Sequence, residues 1–319
     1  MSSLRIIDPG LLTTVQDLGR EGWSCAGVPP SGAADTLSLR IANWICGNHS
    51  SAAAIEMSLL GATIEFNSDA TIALAGAEPA IATIASPSKP PSPAALMTPI
   101  PIRAGDTLRL GPFRTGCRLY LAVAGGICVP PVMGSASTYL PGSFGGHEGR
   151  ALRKGDTLSL CPTPSRAPIE IPAPARDYHR RAISSRTLRA TDGTHTADFS
   201  NPELFWNSTY AVSSRSDRTG LSLEGSRIPA PHGGRMPSEG MMWGAVQVPP
   251  EGAPICLLPD HPTTGGYPVI AATISLDLPA LGQLRPHDQV AFTRVTPHEA
   301  RMLLREQEAF LARHLPGFA

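Results

Sequence analysis

The sequence predicts a mainly β protein in two lobes with few helices. Three observations carry this reading. Gly (31) and Pro (33) make up about a fifth of the 319 residues, against an average usage of about 12%. That excess cuts the chain into short segments. Most segments between the breaks alternate apolar with polar residues, the period-2 pattern of half-buried strands. Only two stretches combine helical spacing with start and stop signals. Apolar residues are 42% of the chain, enough to build a core, and the length suits one large or two modest domains of roughly 100–200 residues each.

The first helix is predicted over Asp35–Cys46. An Asp opens it, Leu37, Ile41, Ala42 and Ile45 recur at helical spacing, and Gly47-Asn48 follows. The second begins at Thr296-Pro297-His298-Glu299 and runs to about His314, before Pro316-Gly317. Thr296 suits the N-cap, Pro297 the first turn, and Glu299 completes a capping box. Strands are predicted at Leu4–Asp8, Thr63–Phe66, Ala70–Ala75, Arg118–Ala124, Tyr210–Ser213, Gly244–Val248, Ile255–Leu258 and Val290–Arg294.

One device recurs. Arg103-Ala-Gly-Asp-Thr-Leu-Arg-Leu-Gly111 returns as Arg153-Lys-Gly-Asp-Thr-Leu-Ser-Leu-Cys161, with a weaker echo at Arg285-Pro-His-Asp-Gln-Val-Ala-Phe-Thr293. Each is a turn feeding an alternating strand. Two stretches read as linkers. Ser86–Pro101 is proline-rich and is expected to cross a surface. Cys161–Pro174 holds Pro162, Pro164, Pro168, Pro172 and Pro174, a spacing that disfavours helix and central strand alike. It is the expected boundary between an N-terminal lobe at 1–163 and a C-terminal lobe at 175–319.

Lys+Arg and Asp+Glu are both 26, so the net charge is zero. This argues against a nucleic-acid partner, which needs a basic surface. The run from Leu119 to Val129 contains a Gly pair and falls short of the roughly 20 apolar residues of a membrane helix. Met1–Pro9 lacks the apolar core of a signal peptide. A cytoplasmic protein with no membrane partner is expected. Cys25, Cys46, Cys117, Cys128, Cys161 and Cys256 are scattered with no CxxC spacing, so no metal site is expected. They read as small buried hydrophobes in a reducing compartment.

Polar clusters in turn-like sequence hold the candidate site residues. Gly27-Val-Pro-Pro-Ser31-Gly32-Ala-Ala-Asp35 leads into the first helix, where backbone N–H groups can hold an anion. Ser31 and Asp35 serve equally as organisers and caps of the helix start. In Ser214-Arg215-Ser216-Asp217-Arg218-Thr219-Gly220, Arg218 can clamp a carboxylate or phosphate, or the turn can be a surface ion pair. Glu239 sits in Met236-Pro-Ser-Glu-Gly240, ahead of an apolar strand interrupted by Gln247. That Gln faces either a ligand cavity or solvent. Asp260-His-Pro-Thr263-Thr264-Gly265-Gly266-Tyr267 offers hydroxyls and a possible nest of backbone donors. His261 can titrate, although the following proline favours a turn role. The glycine-rich stretch Gly142–Arg150 lacks the lysine of a phosphate loop, and no GxSxG, HExxH or GxGxxG motif is present.

Taken in order, PGLLTTVQDLGREG, GVPPSGAAD, GSFGGHEGRAL, SSRSDRTGLSLEG, GAVQVPPEG and DHPTTGGYPVIA resemble the biotin-dependent carboxyltransferase family. That family includes the C-type component of 5-oxoprolinase, the region of allophanate hydrolase and urea amidolyase that is like the second allophanate hydrolase subunit, and the Kip-type antikinase partner. The resemblance covers about residues 4–295. It implies a cyclophilin-like β-barrel architecture, a cyclophilin-fold B-type component as partner and, in some assemblies, a TIM-barrel-like A-type component. The implied activity is ATP-dependent opening of the 5-oxoproline lactam to glutamate, in a complex and with the ATP site unplaced. The motif residues carried over are Ser31, Gly32, Asp35, Ser216, Asp217, Arg218, Glu239, Gln247, Asp260, Thr263, Thr264, Gly265, Gly266 and Tyr267. One departure is Pro262, where many members have Gln. The resemblance leaves two other readings. One is carboxyl transfer from carboxybiotin to urea or a related amide, with biotin on a separate carrier, since Lys89 and Lys154 are the chain's lysines. The other is a non-catalytic regulator of a histidine kinase.

In the catalytic readings, Thr263, Thr264 and the Gly265-Gly266 backbone are expected to polarise a carbonyl oxygen. Arg218 would bind the substrate carboxylate, and Asp217, Glu239 or Asp260 would handle protons.

Overall fold

A computed structural model describes residues 2–87, 89–162 and 167–318. Two units emerge, one from Met1–Arg20, Ser31–Arg180 and Leu311–Ala319, the other from Glu21–Pro30 and Arg181–Phe310. The division after Arg180 leaves the proline-rich 161–174 stretch within the first unit. Its Thr163–Arg166 part lies outside the described residues.

The first unit carries β1 (Ser3–Asp8), β2 (Leu12–Gln16), α1 (Thr36–Ile45), β3 (Ala54–Ser58), β4 (Thr63–Phe66), β5 (Ala70–Pro79), β6 (Ala82–Ser86), β7 (Lys89–Pro93), β8 (Ile100–Ile102), β9 (Thr107–Leu110), β10 (Phe113–Val123), β11 (Ile127–Cys128), β12 (Thr157–Leu160) and α2 (Ala173–Ser184). A seven-stranded sheet has the order β11-β12-β1-β4-β9-β6-β7, and a five-stranded sheet the order β2-β3-β10-β5-β8. Alternation makes them stack. Ile6, Ile64 and Leu108 from one sheet meet Ile55, Leu74 and Leu121 from the other in a single core. Residues of opposite parity, Ala73, Ala75, Tyr120 and Ala122, are also buried, on the face where α1 packs against β5 and β10.

The stretch 86–101 is not a plain linker. It supplies β7 and β8, each an edge strand of its sheet. Prolines are tolerated there because an edge strand has a row of N–H groups that need no partner. The recurring Arg-x-x-Asp device is one geometry used three times. In each copy the Asp carboxylate accepts the Arg backbone N–H, and the Asp N–H donates to the Arg carbonyl. Gly105 and Gly155 take the left-handed conformation before the Asp; in the third copy His287 takes it, at φ 73°.

The cysteine reading holds for Cys46, Cys117 and Cys256, which are buried and unpaired by disulfides. Burial pushes the Cys256 thiol up to about 12 and that of Cys46 higher still. It fails elsewhere. Cys25 is exposed, and Cys128 and Cys161 form a disulfide with Cα atoms 5.1 Å apart. The pairing of β11 with β12 sets Cys128 opposite Ser159, which brings Cys161 within reach.

A buried polar chain ties α2 to α1. The His179 Nε2 lies 2.8 Å from the Ser38 hydroxyl, which donates to Asp35. Burial, with a smaller contribution from the Arg180 charge, holds the His179 imidazole down at about 4, from an ordinary 6.5. Below pH 6.5 the unfolded chain takes up a proton that the folded chain refuses until about pH 4, so stability falls over that window and is flat above it. Going from pH 7.5 to 5 is expected to cost about 2 kcal/mol from this group. Urea denaturation of wild type and His179→Gln at both pH values checks this: the variant should lose correspondingly less on acidification.

The second unit is built from β13 (Thr187–Asp192), α3 (Glu203–Trp206), β14 (Thr209–Val212), β15 (Gly220–Glu224), β16 (Glu239–Gly240), β17 (Ala245–Gln247), β18 (Ile255–Leu257), β19 (Thr264–Gly265), β20 (Val269–Thr273), α4 (Leu278–Gly282), β21 (Gln289–Arg294) and α5 (Pro297–His314). Seven of these strands close a barrel in the order β13-β20-β17-β18-β15-β14-β21. Closure comes from β21, which pairs antiparallel with β14 and parallel with β13. Leu188, Val246, Cys256, Ile270 and the stacked rings of Phe205 and Phe292 fill its core. Thus the barrel that the resemblance implies is closed in the second unit, while the first is two stacked sheets. The predicted capping box forms: Thr296 Oγ1 accepts the Glu299 N–H, and Glu299 accepts the Thr296 N–H. Outside the barrel, β16 and β19 make a two-stranded ribbon.

Candidate functional site

The ribbon organises the site. Glu239 pairs with Gly265 and Gly240 with Thr264. The pairing extends beyond the two strands. The Met236 N–H donates to the Gly266 carbonyl and the Met241 N–H to the Thr263 carbonyl. Loops 236–241 and 263–266 are therefore one unit of structure. Beneath them is a small apolar cluster of Ala245, Leu257 and Val269, with Met241 and Ile255 packed against it.

Gln247 belongs to this layer. In β17, Val246 points into the barrel core while Ala245 joins the small cluster, and alternation puts Gln247 on the side of Ala245. Gln247 is neither in the barrel interior nor in solvent. It is buried on the barrel flank, where its amide donates to the Tyr267 carbonyl at 3.3 Å and meets the Met241 sulfur at 3.1 Å. Gly265 lies close against two side chains, Gln247 and Met241. A Cβ there would lie 2.6 Å from the Gln247 amide nitrogen. Neither Gly265 nor Gly266 takes a left-handed φ, so the pair is not the left-handed nest that the sequence suggests.

The arginine and aspartate of the neighbouring loops form a buried fork. Arg218 Nε donates to Asp260 Oδ2 at 2.8 Å and Nη2 to Oδ1 at 3.3 Å. Their side chains are 5% and 1% exposed. The Asp260 N–H also donates to the Arg218 carbonyl. Arg218 thus holds the 216–220 loop to the 258–261 run, and its guanidinium is spent on Asp260 rather than held out as a clamp. Asp217 shapes the same loop, its Oδ1 accepting the N–H groups of Thr219 and Gly220 and the Thr219 hydroxyl. The Ser216 hydroxyl accepts the Ser222 N–H. Burial holds His261 below its ordinary value, and its Nδ1 lies 2.8 Å from the Pro262 carbonyl oxygen.

The candidates of the first unit have local roles. Asp35 caps α1, accepting the Ser38 N–H at 2.9 Å. Ser31, at φ 55°, donates to the Thr138 carbonyl. Gly32, at φ 90°, lies where a Cβ would fall 2.7 Å from the Gly19 nitrogen. Within this cluster Asp35 takes the capping role, while the Ser31 hydroxyl reaches a carbonyl 107 residues away.

The ribbon is what remains open to solvent. Glu239, Thr264 and Tyr267 are exposed, and Thr263 and Gly266 are half-buried. The sequence reading missed His195, which is buried beside them. Its Nε2 lies 3.6 Å from Glu239 Oε2. The turn Asp192-Gly-Thr-His195 runs off β13 and across β20, and only Gly fits at 193, where a Cβ would lie 2.4 Å from the Val269 carbonyl oxygen. An Asp-Gly turn delivering a His at a strand end was the signal available. Along the same flank, a cavity of about 480 Å³ is lined by Arg215, Ser222, Arg227, Glu251 and Ile255 among others. Ile255 pairs directly with Gln247.

The glycine-rich loop is folded tightly against its own chain. Gly145, Gly146 and Gly149 take left-handed φ values, and a Cβ on any of them would strike the chain's own Ser137 carbonyl, Thr138 hydroxyl or Ser143 carbonyl. On its open side the loop lines a cavity of about 530 Å³, with Ser143, His147 and Glu148 beside the glycines. Two carboxylates, Glu148 and Asp156, also meet there on Arg150, and the Arg150 hydrogen bond holds the Asp156 carboxyl down at about 2. Among the described residues, no group of three or more His, Cys, Asp or Glu is placed to hold a metal ion, and no helix is long and apolar enough to cross a membrane.

Comparison with known proteins places this geometry in a family. Residues 26–294 match the family model for the carboxyltransferase domain, subdomain A and B. The chain is 37% identical over 311 residues to the C-type component of 5-oxoprolinase from Escherichia coli, covering 96% of each chain. It is 35% identical to urea amidolyase of Lachancea kluyveri, covering 96% of this chain but 18% of that protein. The crystal structure of K. lactis urea amidolyase superposes with a TM-score of 0.87 at 29% identity, over 99% of this chain and 20% of that one. The chain belongs to the carboxyltransferase-domain family and carries both subdomains, A and B.

Proposed function

We propose that this chain is the C-type component of an ATP-dependent 5-oxoprolinase, opening the 5-oxoproline lactam to L-glutamate together with partner chains in the cytoplasm. The observation that carries the reading is coverage. The chain and the Escherichia coli 5-oxoprolinase component match over 96% of both lengths, whereas it spans about a fifth of the urea amidolyases.

Lactam hydrolysis adds water across the C–N bond, hydroxyl to the carbonyl carbon and proton to the nitrogen. Glu239 takes the proton from the attacking water and returns it to the departing nitrogen. The Thr263 and Thr264 hydroxyls, on the segment paired with that of Glu239, donate to the carbonyl oxygen as it gains charge. ATP supplies the driving force for ring opening. Its site is assigned to a partner chain in this reading. A cyclophilin-fold B-type component and a TIM-barrel-like A-type component are the expected partners. The Thr264→Ala chain is expected to lower kcat by tenfold or more with an unchanged melting temperature.

The family model itself favours a second reading, carboxyl transfer from biotin on a separate carrier. Co-purification with the partner chains, followed by glutamate release from 5-oxoproline with and without ATP, separates the two. ATP-dependent release supports the oxoprolinase. Absence of release, with carboxylation of urea in the presence of a biotin carrier, supports the alternative. Neither reaction in the intact complex would favour a non-catalytic regulator.

A further inference from the structure

His195 has no part in the scheme above, yet its surroundings fix it more tightly than any exposed residue of the site. The imidazole is buried. Its Nδ1 accepts the Val269 backbone N–H at 3.1 Å, with the Thr194 hydroxyl a further 3.0 Å neighbour of the same nitrogen. A backbone N–H can only donate, so Nδ1 carries the lone pair. The neutral ring must then hold its proton on Nε2. That nitrogen is the one facing Glu239 Oε2, at 3.6 Å. The tautomer is therefore set by the β13–β20 turn, and the N–H it leaves is aimed at the carboxylate on the ribbon.

We propose that His195 is the positioning residue of Glu239, its Nε2–H holding the carboxylate in place on the ribbon. The inference rests on the oxoprolinase reading for what Glu239 does there, but the pairing can be tested without it. The consequence is specific. Glu239 is exposed and lies on a short ribbon, so its carboxylate has rotamer freedom that a single fixed donor removes. Any proton transfer by Glu239 then depends on that donor for geometry. The distance is longer than a formed hydrogen bond, and contraction on substrate binding closes it.

The test uses the full chain and its complex. Nitrogen NMR of the isolated chain should show the neutral His195 ring protonated at Nε2 and bare at Nδ1. A proton on Nδ1 would overturn the proposal. In the complex, His195→Phe keeps a flat ring but loses the donor, and kcat for glutamate release should fall by about tenfold or more with KM unchanged. His195→Gln puts an amide N–H near the Nε2 position and should recover most of the loss. Wild-type kcat in His195→Phe would overturn the proposal. So would a loss in His195→Gln equal to that in His195→Phe, which would mean that an N–H donor at that place does not restore the activity. A complex that releases no glutamate would refute the functional reading instead, leaving the NMR result to decide the pairing.

Discussion

Asp260→Ala is expected to destabilise the second unit by about 3–5 kcal/mol, because it takes the carboxylate away from a buried guanidinium. Arg218 is 5% exposed and donates twice to that carboxylate. The fork also joins two loops, so its loss should loosen the 260–267 run that carries Thr264. Replacing both partners together with apolar residues of similar size is expected to cost much less than either single change. Urea denaturation of Asp260→Ala, Arg218→Met and the double variant measures this. A single variant within about 1 kcal/mol of wild type would mean that the pair does not brace the site.

Reducing the Cys128–Cys161 disulfide is expected to cost about 3–4 kcal/mol. The bond closes a loop with a sequence separation of 33, and releasing that loop restores entropy to the unfolded chain. The urea midpoint should fall when a dithiol reductant is added, and the Cys128→Ser, Cys161→Ser double variant should not respond to reductant. Denatured without reductant, the chain should show four titratable thiols, and six after reduction. Six thiols in both states, or a midpoint indifferent to reductant, would contradict the pairing.

How much of this was legible depends on how local the signal is. The α1 cap at Asp35, the Thr296/Glu299 box and the three Arg-x-x-Asp turns are decided by residues within a few positions of each other, and each is found as expected. The apolar alternation of Ile64 and Leu108, likewise, needs only a period of two. The disulfide is different. Cys128 and Cys161 meet because β11 and β12 pair in a particular register, which no CxxC spacing announces. Proline at 90, 91, 93 and 101 reads as linker until the strands prove to be at sheet edges. Within the site, the loops around 216–218, 239 and 260–267 were each visible as polar turns; Arg218 pairs with Asp260 and Glu239 with Gly265. Their division of labour was not visible. Arg218 looks like a substrate clamp until Asp260 is seen to hold its Nε and Nη2. Gln247 was ambiguous because alternation tells which residues share a face and not which face a ribbon will cover. His195 went unnoticed because its importance comes from Val269, 74 residues away.

Glu239, on an exposed ribbon braced from below, is the proton-handling group on which the proposed chemistry turns. The most direct measurement is steady-state glutamate release by the reconstituted complex carrying Glu239→Gln, alongside the thermal midpoint of that chain. Loss of the carboxylate should cut kcat by about 100-fold or more while leaving the midpoint unchanged, since the side chain is exposed. Wild-type turnover in Glu239→Gln would contradict that role.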